Sequence, residues 1–478
     1  MFVARERELA LLEGLYASGT FQMIPVWGRR RVGKTKLLNE FAREKERVRF
    51  FTARETTARE NLVGLSAALA HWHEQDGAMS IYSGDEPVYP NFEAALLAAF
   101  LEAQHERTLF VIDEYPYLAA SYPGISSLLQ QLIDKHRDTS KLMLILCGSS
   151  MSFMEHQVLG KKSPLYGRRT SQLKLEPWDF FDSAKMLGAC DPIRNIELYS
   201  LVGGVPLYLD QLSGCHDAEW NIAHVLLGQG RMLYAEPRNF LMQEVSSPAP
   251  YVVIVDALAN GRTKPTEIAD VTGIQGPNVQ EHLKKLIELG IVRRDTPVGK
   301  ANKRQVVYRI DDSLFRFWHS FVPRYEHAID LGQEERVAQR IVQRDLSTYM
   351  GYIFEEVCRQ WVARQVRLGG LDVLPTRIGS WWGTDPVARE QVDVDVVIKG
   401  SDGELLCGEC KWTSDKVGAD VVDTLVQRSR LVMDDPTRVD LYVFSKSGFA
   451  PSAERAAESA GNVRLVGVED LFDARSRG

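Results

Sequence analysis

The sequence predicts an α/β protein of more than one domain, opening with a parallel sheet covered by helices on both faces. Three observations carry that reading. Gly28-Arg29-Arg30-Arg31-Val32-Gly33-Lys34-Thr35 satisfies the phosphate-binding pattern G-x-x-x-x-G-K-[ST], and it stands between an apolar run of strand length and a helical stretch. Short, wholly apolar runs then alternate with helical segments, as buried parallel strands joined by helices do. Finally, 478 residues exceed what one hydrophobic core supports, so about two to four domains are expected.

The first strand, Phe21 to Trp27, leads into the loop, whose glycines let backbone N–H groups wrap a polyphosphate at the start of a helix. Pro25 is out of place there, because a central strand needs every N–H. Lys34 is expected to reach the β- and γ-phosphates of ATP, and Thr35 to give Mg²⁺ a hydroxyl oxygen, with Lys36 closing the loop. Ahead of it, Phe2 to Leu12 reads as an amphipathic helix that either closes over the adenine or docks on the domain. Val48 to Thr52 is the second strand. The third, Leu109 to Ile112, ends in Asp113-Glu114. Asp113 is expected to hold Mg²⁺ through water, and Glu114 to polarise the water that attacks the γ-phosphate.

Lys141 to Cys147 is a fourth buried strand ending in Gly-Ser149-Ser150. Either serine senses the γ-phosphate or simply ends the strand in a turn. Gly167-Arg168-Arg169 precedes a fifth strand, Ser171 to Leu175. Arg168 or Arg169 stabilises transition-state charge on a nucleotide, in its own chain or in a neighbouring copy of a homo-oligomer, or else lies solvated on the surface.

Composition excludes several classes. Forty-five per cent apolar and 25% charged residues are usual for a globular protein, and no apolar run reaches the length of a membrane span. The first residues lack the layout of a signal peptide, so a cytoplasmic location without membrane contact is expected. Six scattered cysteines are expected to be reduced. A net charge of −7 gives no global attraction to nucleic acid, so any such binding has to come from local patches.

One such patch lies in the middle of the chain. Pro265 to Gly273 is a short helix, Asn278 to Leu289 a second, and Ile291-Val-Arg-Arg pairs with Val306 to Ile310, giving helix, turn, helix and wing. Lys284, Lys285, Arg293, Arg294, Lys300, Lys303, Arg304 and Arg309 face only Glu288 and Asp295 as counter-charges in this stretch. That basic wing is expected to contact DNA phosphates, with a lid or a partner surface as the alternative. Ser313 to Leu331 reads as a packed connector.

From Tyr349 onward the chemistry changes. Gly351 to Trp361 is a helix carrying Glu355, and Gln391 to Lys399 and Glu404 to Trp412 are strands joined by a tight turn. If the turn is Ser401 to Gly403, Asp395 lies opposite Glu409 and Asp393 opposite Lys411, all on one face. That face suits Mg²⁺ and a nucleophilic water, with Lys411 activating the water or neutralising charge. Cys407 and Cys410 are three apart in a strand and so point to opposite faces, which excludes a metal pair.

The order F-V-x-R-E-x-E-L, G-R-R-R-V-G-K-T, Asp113-Glu114, C-G-S-S, Gly167-Arg168-Arg169 and Gly203-Gly-Val-Pro-Leu-Tyr-Leu209 resembles the archaeal-type ATPases of the AAA+/STAND class. Ala4 stands where that family usually carries glycine. Asp395, Glu409-x-Lys411 and Glu355 together resemble the PD-(D/E)xK nuclease superfamily, and specifically the former domain of unknown function 234 that follows such ATPases. Asp393 takes the place usually held by glutamate. The resemblance implies a P-loop NTPase core over residues 1–180, a helical lid over 181–245, a winged helix over 246–312, a helical connector over 313–348 and a restriction-endonuclease-like α/β domain over 349–478. It implies an ATP-hydrolysing protein with DNA as partner, acting as a metal-dependent nuclease or else as a regulatory switch that binds without cutting.

Overall fold

The computed structural model describes residues 2–70, 88–189, 191–299 and 305–472. The chain divides into two compact units, Met1–Trp178 with Val205–Leu207, and Asp179–Gly204 with Tyr208–Gly478.

In the first unit β1 (Gln22–Trp27), β2 (Val48–Thr52), β3 (Thr108–Asp113), β4 (Leu142–Gly148) and β5 (Leu173–Lys174) form one sheet in the order β2-β3-β4-β1-β5, every neighbouring pair parallel. The strands are apolar throughout because both faces are covered. Ile24, Val26, Leu109, Val111, Met143 and Ile145 turn to one core, with Leu12 of helix α1 (Glu6–Ala17) and Leu37, Leu38 and Phe41 of helix α2 (Lys34–Ala42). Met23, Phe110, Ile112, Leu144 and Leu146 turn to the other, against Leu96, Phe100, Leu129 and Ile133.

Pro25 is tolerated for a specific reason. Met23 and Trp27 point their carbonyls toward β5, accepting from Thr170 N and Leu175 N, and Pro25 midway between them points the same way. The β5 ladder is shorter than the expected Ser171 to Leu175 and engages only Val26 and Trp27, so no carbonyl of a neighbouring strand waits for the missing N–H.

In the second unit, Ala249–Ala259, Pro265–Thr272 and Gly276–Glu288 pack around Ile254, Ile268, Val279, Leu283 and Leu286, followed by the antiparallel pair β6 (Val292–Asp295) and β7 (Val307–Ile310). Helices Ser313–Asp330, Glu334–Arg344 and Leu346–Leu368 lead to a second sheet. Its strands β8 (Pro375–Thr384), β9 (Gln391–Gly400), β10 (Glu404–Lys411), β11 (Arg438–Ser445) and β12 (Val463–Gly467) lie in the order β12-β11-β10-β9-β8. β8, β9 and β10 are antiparallel, whereas β11 and β12 add on in parallel through Ala419–Val432 and Pro451–Ala460. Leu441 and Val443 of β11 pack toward Val422, Leu425 and Ala453, while Tyr442 and Phe444 meet Trp361 of Leu346–Leu368. The alternation of β11 thus separates two helical layers.

The β9–β10 register runs from Lys399 opposite Leu405 to Val396 opposite Gly408, which is the register of a Ser401 to Gly403 turn, with Gly403 at φ +87°. Against β8 the register slips. Gly379 pairs with Val397 but Trp381 with Val394, so β9 carries one extra residue at Asp395–Val396, a β-bulge.

Candidate functional site

The phosphate loop is shaped by two glycines. Gly28 lies at φ +158°, where a Cβ would sit 2.3 Å from the Leu175 carbonyl oxygen, and Gly33 at φ +90° opens α2. Lys34 is buried under the loop, donating to the carbonyls of Gly28 (2.8 Å) and Arg29 (3.0 Å), and burial pulls its ammonium below the usual value. Those acceptors are neutral, so anionic phosphate oxygens would bind the same ammonium more strongly. Arg5 braces the loop from α1, donating to the carbonyls of Val32 (3.2 Å) and Glu176 (2.7 Å). Ala4 and Arg5 both lie at positive φ, a conformation that glycine enters most easily. Leu12 and Arg5 therefore show α1 docked on the domain. Arg30 donates to Tyr117 Oη at 3.4 Å, while Lys36 is exposed on the first turn of α2.

At the carboxyl edge of the sheet a polar chain joins three elements. Thr35 Oγ1 donates to Asp113 Oδ2 at 2.8 Å, and Asp113 Oδ1 accepts the Glu114 N–H at 3.0 Å. Ser149 Oγ lies 3.1 and 2.9 Å from the two Glu114 carboxylate oxygens. Ser149, expected to sense phosphate, is thus engaged with Glu114. Thr35 and Asp113 present adjacent hard oxygens beside Lys34, a donor set that fits Mg²⁺ next to a polyphosphate.

Arg168 and Arg169 lie elsewhere. They precede Thr170, which bonds to Met23 near the start of β1, whereas the phosphate loop follows the end of β1. Both arginines therefore sit toward the amino edge of the sheet, away from the phosphate loop of their own chain. Arg168 chelates Asp134 at 3.0 and 2.8 Å, and Arg169 donates to the Leu159 carbonyl.

The second cluster stands around the β9 bulge. Asp395 Oδ2 accepts the Cys410 N–H at 2.8 Å, and Arg359 Nη1 donates to the Asp395 carbonyl at 2.8 Å while lying 3.5 Å from Glu355. Arg359 also pairs with Glu356 (3.1 Å), which Arg293 of β6 holds from the other side at 2.7 Å. Burial, then the charges of Glu355 and Glu409, push the Asp395 carboxyl well above its usual range. Burial also raises Glu355, against the pull of Arg359. Burial would raise Glu356 too, but Arg293 and Arg359 overcome it and bring it down to about 2. Lys411 Nζ donates to Glu409 Oε1 at 2.7 Å, and Glu409, 6% exposed, keeps its Oε2 buried with no partner. Burial lowers the Lys411 ammonium, but Glu409 more than offsets this and the net shift is upward.

The single acidic face expected from strict alternation is broken. Asp393 is drawn to Arg428 of Ala419–Val432 at 3.5 Å, Asp395 caps a backbone N–H at the bulge, and Arg359 stands against Glu355. Glu355, Asp395 and Glu409 feel one another's charge, yet among the described residues no three His, Cys, Asp or Glu side chains converge closely enough to hold a metal ion. Cys407 and Cys410 part as expected, Cys407 into the core with Leu425 and Cys410 toward Cys358.

Part of the basic wing is engaged with protein rather than free. Arg293 meets Asp295 (3.1 Å), Asp311 (3.3 Å) and Glu356, and Arg309 lies over the Tyr352 ring. Lys284 and Lys285 approach Glu288 at 4.0 and 3.8 Å. Beyond β6, Val298 is 2% exposed in the core of the second sheet, its N–H bonded to the Ser380 carbonyl of β8 at 2.9 Å. The wing root is seated on protein. Lys300, Lys303 and Arg304 lie outside the described residues. The sequence reading missed Arg5, Glu356 and Arg359; only Arg359 left a signal, four residues after Glu355 on one helix.

Residues 2–212 match an ATPase domain predominantly from Archaea, residues 252–294 the arsR family of bacterial regulatory proteins, and residues 318–422 a family of archaeal and bacterial proteins of unknown function. An uncharacterized protein of Methanocaldococcus jannaschii is 28% identical over 440 residues, 91% of this chain and 93% of its own. Among solved structures, the Walker-type ATPase of Pyrococcus abyssi is similar at 20% identity and a TM-score of 0.48, over 66% of this chain and 96% of that one. The ORC2 protein of Aeropyrum pernix is similar at 15% identity and a TM-score of 0.37, over 69% and 95%. The chain thus carries an archaeal ATPase domain, a helix-turn-helix of the arsR type and a segment of the family of unknown function. No helix among the described residues is long and apolar enough to cross a membrane.

Proposed function

We propose, from the archaeal ATPase domain at its amino end, that this protein hydrolyses ATP and uses the nucleotide state to govern a DNA-handling carboxyl-terminal region. The observation that carries the reading is the chain Thr35–Asp113–Glu114–Ser149 next to Lys34. Lys34 and the loop backbone from Gly28 to Thr35 hold the phosphates. Thr35 and Asp113 would hold Mg²⁺, which when bound would supply charge neutralisation on the phosphates. Glu114, aimed by Ser149, accepts a proton from the attacking water. Loss of phosphate release in Glu114→Gln with retained ATP binding supports this; unchanged turnover rejects it.

For the carboxyl-terminal region we propose a nuclease-like acidic site centred on Asp395, Glu409 and Lys411. The free, buried Glu409 oxygen beside Lys411 supports it. Among the described residues these carboxylates do not converge on a metal set as arranged. Arg359 among the acids favours the second reading, a switch that binds without cutting. Incubation of labelled DNA and RNA with Mg²⁺ or Mn²⁺, with and without ATP, separates them: cutting lost in Lys411→Ala establishes the nuclease, and intact nucleic acid under all conditions establishes the switch.

A further inference from the structure

The helix Glu334–Arg344 carries a repeat that neither site uses: Arg336-Val-Ala-Gln339, Arg340-Ile-Val-Gln343, Arg344. Val337, Ala338 and Ile341 are buried and fasten the helix to its unit. Arg336, Gln339, Arg340, Gln343 and Arg344 are all exposed. Four residues advance a helix by about 6 Å and only slightly more than one turn, so the arginines form one row and the glutamines another beside it.

Past its first turn this face carries no acid, and Glu335 stands one turn before Gln339 at the head of the glutamine row. Glu334 and Glu335 belong to the first turn, and Glu335 turns toward His224 at 3.9 Å. None of the three arginines is in an ion pair among the described residues; Arg336 donates only to Gln333, a neutral side chain. Stacked like charges at this spacing repel one another. On a chain of net charge −7 this row is a local cationic strip whose repulsion a polyanion would relieve.

We propose that Arg336, Arg340 and Arg344 are a docking track for the phosphodiester backbone of a nucleic acid, with Gln339 and Gln343 bonding to the sugar or phosphate oxygens alongside. A step of about 6 Å per arginine is comparable to the separation of successive phosphates along a strand. Guanidinium groups grip phosphate oxygens in a bidentate manner, and the polyanion's regular charge complements a regular cationic row. The contact reads no sequence. It is independent of the acidic cluster and of the helix-turn-helix, and it adds a backbone contact to whatever the wing provides, whose Arg293 and Arg309 are turned inward.

The test is fluorescence anisotropy of the full chain with labelled single strands and duplexes of about 30 base pairs and mixed sequence, from about 50 to 200 mM salt. The proteins compared are wild type, the triple variant Arg336→Gln, Arg340→Gln, Arg344→Gln, and a charge-matched control, Lys161→Gln, Lys162→Gln, Lys416→Gln. The track predicts that the arginine variant alone loses about tenfold or more in affinity at low salt, equally for unrelated sequences, with a log–log salt slope shallower by about 2 to 3. Its ATP hydrolysis without nucleic acid stays unchanged. No binding by wild type, equal loss in the control, or an unaltered slope in the arginine variant each overturns the proposal. So does binding of wild type to anionic phospholipid vesicles, lost in the arginine variant, without binding to nucleic acid.

Discussion

Glu114 shows how much one residue carries. Its backbone sits in the left-handed region at φ +50°, ψ +43°, a conformation costing a non-glycine residue on the order of 1 kcal/mol or more, while both carboxylate oxygens contact Ser149. Two substitutions separate these roles. Glu114→Gln is expected to cut ATP turnover by about 10²- to 10⁴-fold with nucleotide binding retained, measured by phosphate release and titration calorimetry. Glu114→Gly is expected to be as inactive yet to melt higher than wild type, because glycine adopts the same backbone without strain. A lower melting temperature in Glu114→Gly would show that the carboxylate's contacts outweigh the strain. The acid itself was legible as the end of an apolar run, since buried parallel strands deliver polar groups to their carboxyl edge. The end of the fourth strand was legible as lying beside Asp113, but not that Ser149 would bond to Glu114 rather than await a phosphate. The place of Arg168 was hidden for a related reason: position along the chain does not tell which edge of the sheet a junction occupies, and this one is near the start of β1.

Elements explain the next level. The hairpin register of β9 and β10 followed from the length of the Ser401 to Gly403 turn, but the bulge at Asp395–Val396 has no mark in an alternating Val-Asp-Val-Asp sequence. It is set by pairing with β8, and it dissolves the common acidic face that alternation implies. The bulge leaves room for Arg359 among the acids, and the charge balance there gives a pH signature. Glu356 has a folded value of about 2, below its ordinary 4.5, so its contribution is full above about pH 4.5 and is lost as the pH falls toward 2. The stability difference between wild type and Glu356→Gln in urea unfolding should therefore shrink across that window. Asp395 is raised, so ionising it disfavours the folded state, and Asp395→Asn is expected to gain stability relative to wild type as the pH rises above the ordinary carboxylate range. Opposite slopes for these two variants, read on the same samples, check the assignment of both groups.

For the whole molecule, two compact units imply two thermal transitions if they melt independently. A non-hydrolysable ATP analogue at about 100 times its dissociation constant should stabilise the phosphate-loop unit by about 2.7 kcal/mol, and Lys34→Ala should abolish that shift in scanning calorimetry. The division of the carboxyl half was harder to foresee than the sheet of the amino half. Helix, turn, helix and wing each have local signals, whereas Val298 reads as one more loop residue until β8 is beside it. Its burial bears on how the polypeptide tolerates being cut. Severed between Asp311 and Leu346, the upstream fragment would carry an apolar valine into water and leave Arg293 with only Asp295 and Asp311, and the downstream fragment would expose the uncovered edge of β8 and leave Glu356 with Arg359 but without Arg293. Each fragment is expected to aggregate when expressed alone and to recover solubility when the two are produced together, like halves of a split reporter whose seam is the wing.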